Sequence, residues 1–186
     1  YLLFSVAILT AQIGEGTPAS PSNNIYFGGS DFQDVIDNHY PTNCNTSGAS
    51  YMPGTDDGSV FYSYYRVNSS SGGDLGFVTS VASQYQSSAM FPVCGPNPVI
   101  SRTVELFVEG SLPYTSGTGL SPDVTGQACT SCERYEWNSG ISPSTNYVVV
   151  VTYTLPNPLT CELQFQDHCQ GYYHPTSSTP PPTGTC

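Results

Sequence analysis

The stretch "NYVVVVTYTL" at residues 146–155 constrains this chain more than any other. Valine, tyrosine and threonine favour the pleated backbone. A continuous apolar run of this length, without helical spacing, reads as a strand buried on both faces. Such a strand needs neighbours, and the sequence supplies them. "SVFYSYYRV" puts Val60, Tyr62 and Tyr64 on one face and Phe61, Tyr65 and Val67 on the other. "LGFVTSVASQYQ" groups Leu75, Phe77 and Val81. "VISRTVELFVEG" alternates Ile100, Val104, Leu106 and Val108 inward with Ser101, Thr103, Glu105 and Glu109 outward. Arg102 interrupts the inner row, so it is expected at a strand end or snorkelling. "CELQFQDHC" gives a last alternating strand with Cys161, Leu163 and Phe165 inward.

One short helix is expected in "SDFQDVIDNHYP". Ser30 and Gln33 have capping-box spacing, Asp31 lies in the first turn, Phe32, Val35 and Ile36 share a face, and Pro41 ends it. Residues 41–58 and 110–128 read as long loops. The expected fold is therefore mainly β: an antiparallel β-sandwich, Ig-like or jelly-roll-like, with one short helix, long loops and disulfides. The expected organisation is a hydrophobic N-terminal strand at 1–13, a flexible linker at 14–24, a disulfide-stapled β domain at 25–175 and a Pro/Thr-rich tail at 176–186.

Composition excludes several partners. Only 9% of the 186 residues are charged, against roughly 25% in ordinary domains. The basic residues are Arg66, Arg102 and Arg134, with no lysine, and the formal net charge is −11. Phosphate backbones are held by clustered cations, so nucleic acid and anionic membrane are poor partners. Seven cysteines point to an oxidising compartment. Cys161 with Cys169 and Cys44 with Cys94 are the pairings expected from proximity in sequence, but six cysteines allow fifteen connectivities. One cysteine is left over, and Cys186, the last residue, is the candidate for a cross-link. The sequons Asn45-Thr46-Ser47 and Asn68-Ser69-Ser70 sit in Ser/Gly-rich stretches, where covalent glycans are expected.

Candidate chemistry is sparse. Cys129 and Cys132 have the spacing of a zinc knuckle, but two further ligands from Cys161, His168, Cys169 or His174 would be needed, and the flanks lack a double-knuckle pattern. The pair reads as a structural disulfide, and no metal or cofactor is expected. Glu105 and Glu109 on one strand face lie about 13 Å apart, too far for a glycosidase pair. They read as solvated glutamates. Asp56 and Asp57 in "GTDDGS" lack the spaced oxygens of a calcium loop. His39, His168 and His174 have no nucleophile elbow to serve. Tyr62, Tyr64, Tyr65, Tyr172 and Tyr173 could stack on sugars or fill the core.

The opening run "YLLFSVAILTAQIGEGTP" remains. Its apolar length and the Gly14-Glu15-Gly16 triplet suit a secretion signal, but it has no basic n-region. Thirteen residues fall short of the ~20 of a membrane helix. As a strand it presents Leu2, Phe4, Val6 and Ile8 as one bulky row. Such a row can fill pockets along an open sheet edge, in this domain or in an identical subunit. The linker tips the reading toward exchange, which would build an open filament. The sequence therefore suggests a non-catalytic, extracellular, glycosylated filament subunit. A secreted carbohydrate-binding or adhesion module is the first alternative and a secreted hydrolase the second.

Overall fold

The computed structural model describes residues 16–26, 49–51, 60–80, 101–129, 132–154, 163–165 and 170–175. They form eleven strands: β1 (Ser22–Asn23), β2 (Ile25–Tyr26), β3 (Ala49–Tyr51), β4 (Val60–Asn68), β5 (Leu75–Ser80), β6 (Ser101–Val108), β7 (Val124–Cys129), β8 (Cys132–Trp137), β9 (Asn146–Thr154), β10 (Leu163–Phe165) and β11 (Gln170–Tyr173). One sheet runs β1-β4-β9-β6, a second runs β2-β11-β5-β8-β7, and β10 pairs with β3. Pairing is antiparallel except at β1–β4 and β2–β11. The described residues contain no helix. The helix expected around 30–41 lies outside them, as do segment 1–13, the tail 176–186, Cys44, Asn45, Asp56, Asp57, Cys94, Cys161, Cys169, Cys186, His39 and His168.

The valine run behaves as its composition requires. Between exposed Asn146 and Thr154, all seven residues of β9 are buried. Tyr147, Val149, Val151 and Tyr153 face the second sheet. In the core between the sheets they cluster with Tyr65 and Val67 of β4 and Val104 and Leu106 of β6 in their own sheet, and with Leu75 and Phe77 of β5 and Tyr135 and Trp137 of β8 in the other. Val148 and Val150 point the other way and are covered by Phe107, with Tyr64 and Tyr114 against them. Tyr65 and Val67 share one face of β4 and Leu75 and Phe77 one face of β5, all in this core, with Val60 and Tyr62 exposed on the opposite face of β4.

Strand β6 departs from its alternation at two positions. Glu105, expected outside, is only 8% exposed, and Val108, expected inside, is 51% exposed. The cause lies beyond the strand. β6 ends at Val108, so that side chain overhangs the core's rim. The following loop then turns back over the outer face. Leu106 and Leu120 exchange backbone hydrogen bonds of 3.0 and 2.9 Å. Glu105 Oε1 accepts from the amides of Gly117 (2.8 Å) and Gly119 (3.1 Å). The carboxylate therefore holds this loop down rather than standing in water. Arg102, near the start of β6, reaches across to Glu133 of β8 at 3.1 Å, joining the two sheets at one end.

Residues 14–24 read as a flexible linker, but those described are fixed to the fold. Thr17 and Ser20 form reciprocal backbone hydrogen bonds of 3.0 and 3.1 Å, a tight turn. Gly16 has φ +69, and a Cβ there would lie 2.6 Å from the Tyr64 carbonyl oxygen. Only glycine fits that contact and that φ. Ser22 and Asn23 then pair with Tyr65 and Arg66, the chain crosses at Asn24, and β2 joins the other sheet beside β11.

The second sheet is buried on both faces at β5, where Leu75, Phe77 and Val78 are each 0% exposed. On one of these faces Tyr173, Gly76 and Glu136 are register partners across three strands. The Tyr173 ring lies over Gly76, and a Cβ there would lie only 2.3 Å from the ring's Cζ. Its hydroxyl passes the glycine to donate to Glu136 Oε1 at 2.5 Å. Gly76→Ala is expected to destabilise the protein by about 1–3 kcal/mol through overpacking, read as a lowered urea midpoint. A midpoint unchanged from wild type would show that the ring can shift freely.

Candidate functional site

Where the chain crosses between the sheets, β1, β2, β4, β9 and β11 converge on a lateral edge. Parallel pairing sets Tyr26 of β2 opposite Tyr172 of β11, with ring centroids 5.1 Å apart. His174, just past β11, adds a third ring, 4.8 Å from Tyr26 and 6.0 Å from Tyr172. His174 Nε2 lies 2.9 Å from the carbonyl oxygen of Asn68. A carbonyl only accepts, so Nε2 carries the proton. In the neutral ring Nδ1 is then the acceptor, and the Tyr26 hydroxyl donates to it at 3.3 Å. This fixes a tyrosine that is still 46% exposed. Burial, and secondarily the neighbouring Tyr26, push the Tyr172 hydroxyl above its ordinary pKa.

Beside the rings lies a cleft of about 230 Å³ lined by Asn23, Asn24, Arg66, Asn68, Asn146 and Tyr172. Arg66 donates to Glu109 at 2.5 Å and to Asn23 Oδ1 at 2.7 Å. Asn68 and Asn146, register partners at the end of β4 and the start of β9, are joined by an Nδ2–Oδ1 hydrogen bond of 2.8 Å. The sequon at Asn68 therefore begins on a strand end and not within a loop. Its Ser69 is buried, donating to the Ser142 carbonyl at 2.6 Å and accepting from the Thr145 amide at 3.0 Å.

A second cavity of about 330 Å³ opens elsewhere between the sheets, lined by Arg102, Thr125, Gly126, Glu133 and Tyr135. Tyr135 donates its hydroxyl to Glu133. Burial, then that hydrogen bond, raise the Tyr135 pKa far above its ordinary value near 10. The native state thus keeps a proton that the unfolded chain releases near pH 10. The stability this contributes is complete below pH 10 and is lost as pH rises above it, by up to about 1.4 kcal/mol per pH unit. Urea midpoints from about pH 9 to about pH 12 should fall more shallowly in Tyr135→Phe than in wild type. Equal slopes would exclude this tyrosine as a cause.

All three cations are committed: Arg66 to Glu109, Arg102 to Glu133 and Arg134 to Glu136. Neither glutamate of the strand-face pair considered for hydrolysis is a free acid, since Glu105 binds loop amides and Glu109 binds Arg66. Among the described residues no three His, Cys, Asp or Glu side chains cluster to hold a metal. Nor is any helix among them long and apolar enough to cross a membrane. Cys129 and Cys132 are backbone register partners at the turn between β7 and β8. Of the five tyrosines considered for sugar stacking, Tyr65 and Tyr173 are fully buried, Tyr62 is 42% exposed, and Tyr172 lines the cleft.

No protein-family model, curated protein or solved structure matches this chain. What the edge can do follows from its groups alone: amides that donate and accept, ring faces, and a neutralised arginine. These bind and position. Its residues are drawn from positions 23 to 174, so no local spacing in the sequence announces it. Arg66, Asn68, Tyr172 and His174 stand out in the sequence for separate reasons, and nothing in it brings them together.

Proposed function

We propose that this chain is a non-catalytic structural subunit of an extracellular, glycosylated filament or surface appendage. In this reading it is a disulfide-stapled β-sandwich that polymerises by donating residues 1–13 as a strand to a neighbouring identical subunit. One observation carries the reading. Gly16, three residues beyond the hydrophobic run, is seated against the Tyr64 carbonyl of β4. On the side of β4 away from β9, the only strand partners among the described residues are Ser22 and Asn23, at Tyr65 and Arg66. Val60 and Tyr62, farther along that edge, are 41% and 42% exposed. A sheet edge is a template for a further strand. Thirteen extended residues reach about 45 Å, enough to leave one domain and run along the next. A strand passed in one direction from copy to copy is a head-to-tail contact, and it generates an open fibre.

The same reading places glycans on Asn45 and Asn68 and disulfides among Cys44, Cys94, Cys129, Cys132, Cys161 and Cys169. For Cys129 and Cys132 the register is supportive. Antiparallel partners lie about 4.5–5.5 Å apart at Cα, within the span of a disulfide. Non-reducing peptide mapping reads that bond directly.

Deleting residues 1–13 tests assembly. Electron microscopy and sedimentation should find monomers where the full chain gives fibres, and adding the 1–13 peptide in trans should cap fibre growth of the full chain. Fibres of normal length from the deletion variant would overturn the proposal.

A further inference from the structure

From the lateral edge we infer a binding site for a neutral pyranose sugar, in the cleft between Tyr172 and the Asn68–Asn146 pair, with the exposed Tyr26 ring packed against Tyr172 beside it. Assembly through residues 1–13 plays no part in this inference. The groups present define the ligand by elimination. The Arg66 charge is already met by Glu109 at 2.5 Å, and its Nη1 is held by Asn23. The cleft thus offers no bare cation to an anion, which the net charge of −11 would also repel. Nor does it hold a cluster of acids for a metal. What it offers is amide chemistry. Asn23 and Asn146 engage their Oδ1 atoms, leaving amide nitrogens as donors, and Asn68 engages Nδ2, leaving Oδ1 as an acceptor. A donor beside an acceptor matches adjacent hydroxyls. The Tyr26 and Tyr172 rings, 5.1 Å apart and tilted by 40°, offer apolar faces for the C–H side of a sugar ring.

The edge is also pre-arranged. The His174 bridge fixes Tyr26 while leaving it 46% exposed, an ordering that otherwise must be imposed at binding. The volume, about 230 Å³, is below the range typical of drug-sized ligands and suits a single ring. Asn68 both lines this cleft and begins a sequon. The sugar can therefore come from two sources: the glycan on Asn68 itself, or a glycan borne by another molecule.

Saturation-transfer NMR and calorimetry on the full chain, produced with and without N-glycans, test the site. The probes are methyl α-mannopyranoside, methyl β-galactopyranoside and N-acetylglucosamine. The chain without N-glycans should bind at least one of them saturably, with a millimolar Kd. Tyr26→Ala and Asn146→Ala should each weaken that binding at least tenfold, while Tyr62→Ala, on an exposed tyrosine outside the cleft, should leave it unchanged. Binding lost only in the glycosylated chain identifies the Asn68 glycan as the occupant. Binding in both forms identifies a sugar from elsewhere. No saturable binding by the chain without N-glycans, or wild-type binding by both Tyr26→Ala and Asn146→Ala, would overturn the site.

Discussion

Trp137→Ala is expected to lower the unfolding free energy by about 3–5 kcal/mol, a large share of the roughly 5–15 kcal/mol that holds a domain folded. Trp137 ends β8 and is 0% exposed, within the cluster to which both sheets contribute. Its removal leaves a cavity where the two sheets meet. It also removes a tether. The indole Nε1 donates at 3.0 Å to the Leu120 carbonyl, which accepts the Leu106 amide as well. Leu120 is where the loop after β6 closes on that strand. Amide exchange at Leu106 and Leu120 should therefore accelerate more than global destabilisation alone requires. Because this is the chain's only tryptophan, far-ultraviolet dichroism must follow the urea transition. A loss below about 1.5 kcal/mol would mean that the core collapses readily around the gap.

Arg134→Met is expected to cost about as much, roughly 3–5 kcal/mol, for an electrostatic reason. The Arg134 and Glu136 side chains are 7% and 3% exposed and lie 3.6 Å apart. Tyr173 donates to the same Glu136 oxygen. Removing the guanidinium leaves a buried carboxylate with a single neutral donor, and that uncompensated charge dominates the loss. Converting both residues, as Arg134→Met with Glu136→Leu, should recover the share of the loss that the uncompensated charge causes, while the buried Tyr173 hydroxyl loses this acceptor. Thermal and urea unfolding of wild type, both single variants and the double variant close the cycle. A double variant as unstable as Arg134→Met would show that side-chain packing, and not charge, sets the cost.

The parts legible in the sequence are those governed by neighbours two residues apart. Alternation put Tyr65 with Val67 and Leu75 with Phe77 on common faces and Val104 and Leu106 inward, and the valine run identified a strand buried on both faces. The same rule misplaced Glu105. The amides that bind it come from Gly117 and Gly119, in a loop whose return no strand period encodes. Ser22–Asn23 was illegible for a related reason. A two-residue strand has no period, and "GEGTPASPSNN" has a linker's composition, yet backbone contact with residues 64–66 holds it.

The lateral edge was less legible still. Asn23 and Asn146 carry no spacing signal, the sequon at Asn68 says nothing of a cleft, and a tyrosine in a strand reads alike whether it fills the core, as Tyr65 does, or lines a cleft, as Tyr172 does. By itself the sequence determined the mainly β character, the scarcity of cations and the principal inner rows, because these depend on residue type and on the fixed side-chain period of a strand. Only the tertiary structure decided which acids are buried, which tyrosines remain available, and that four asparagines from three distant stretches share one cleft. Each of these depends on which strands lie side by side, and long-range backbone pairing sets that order.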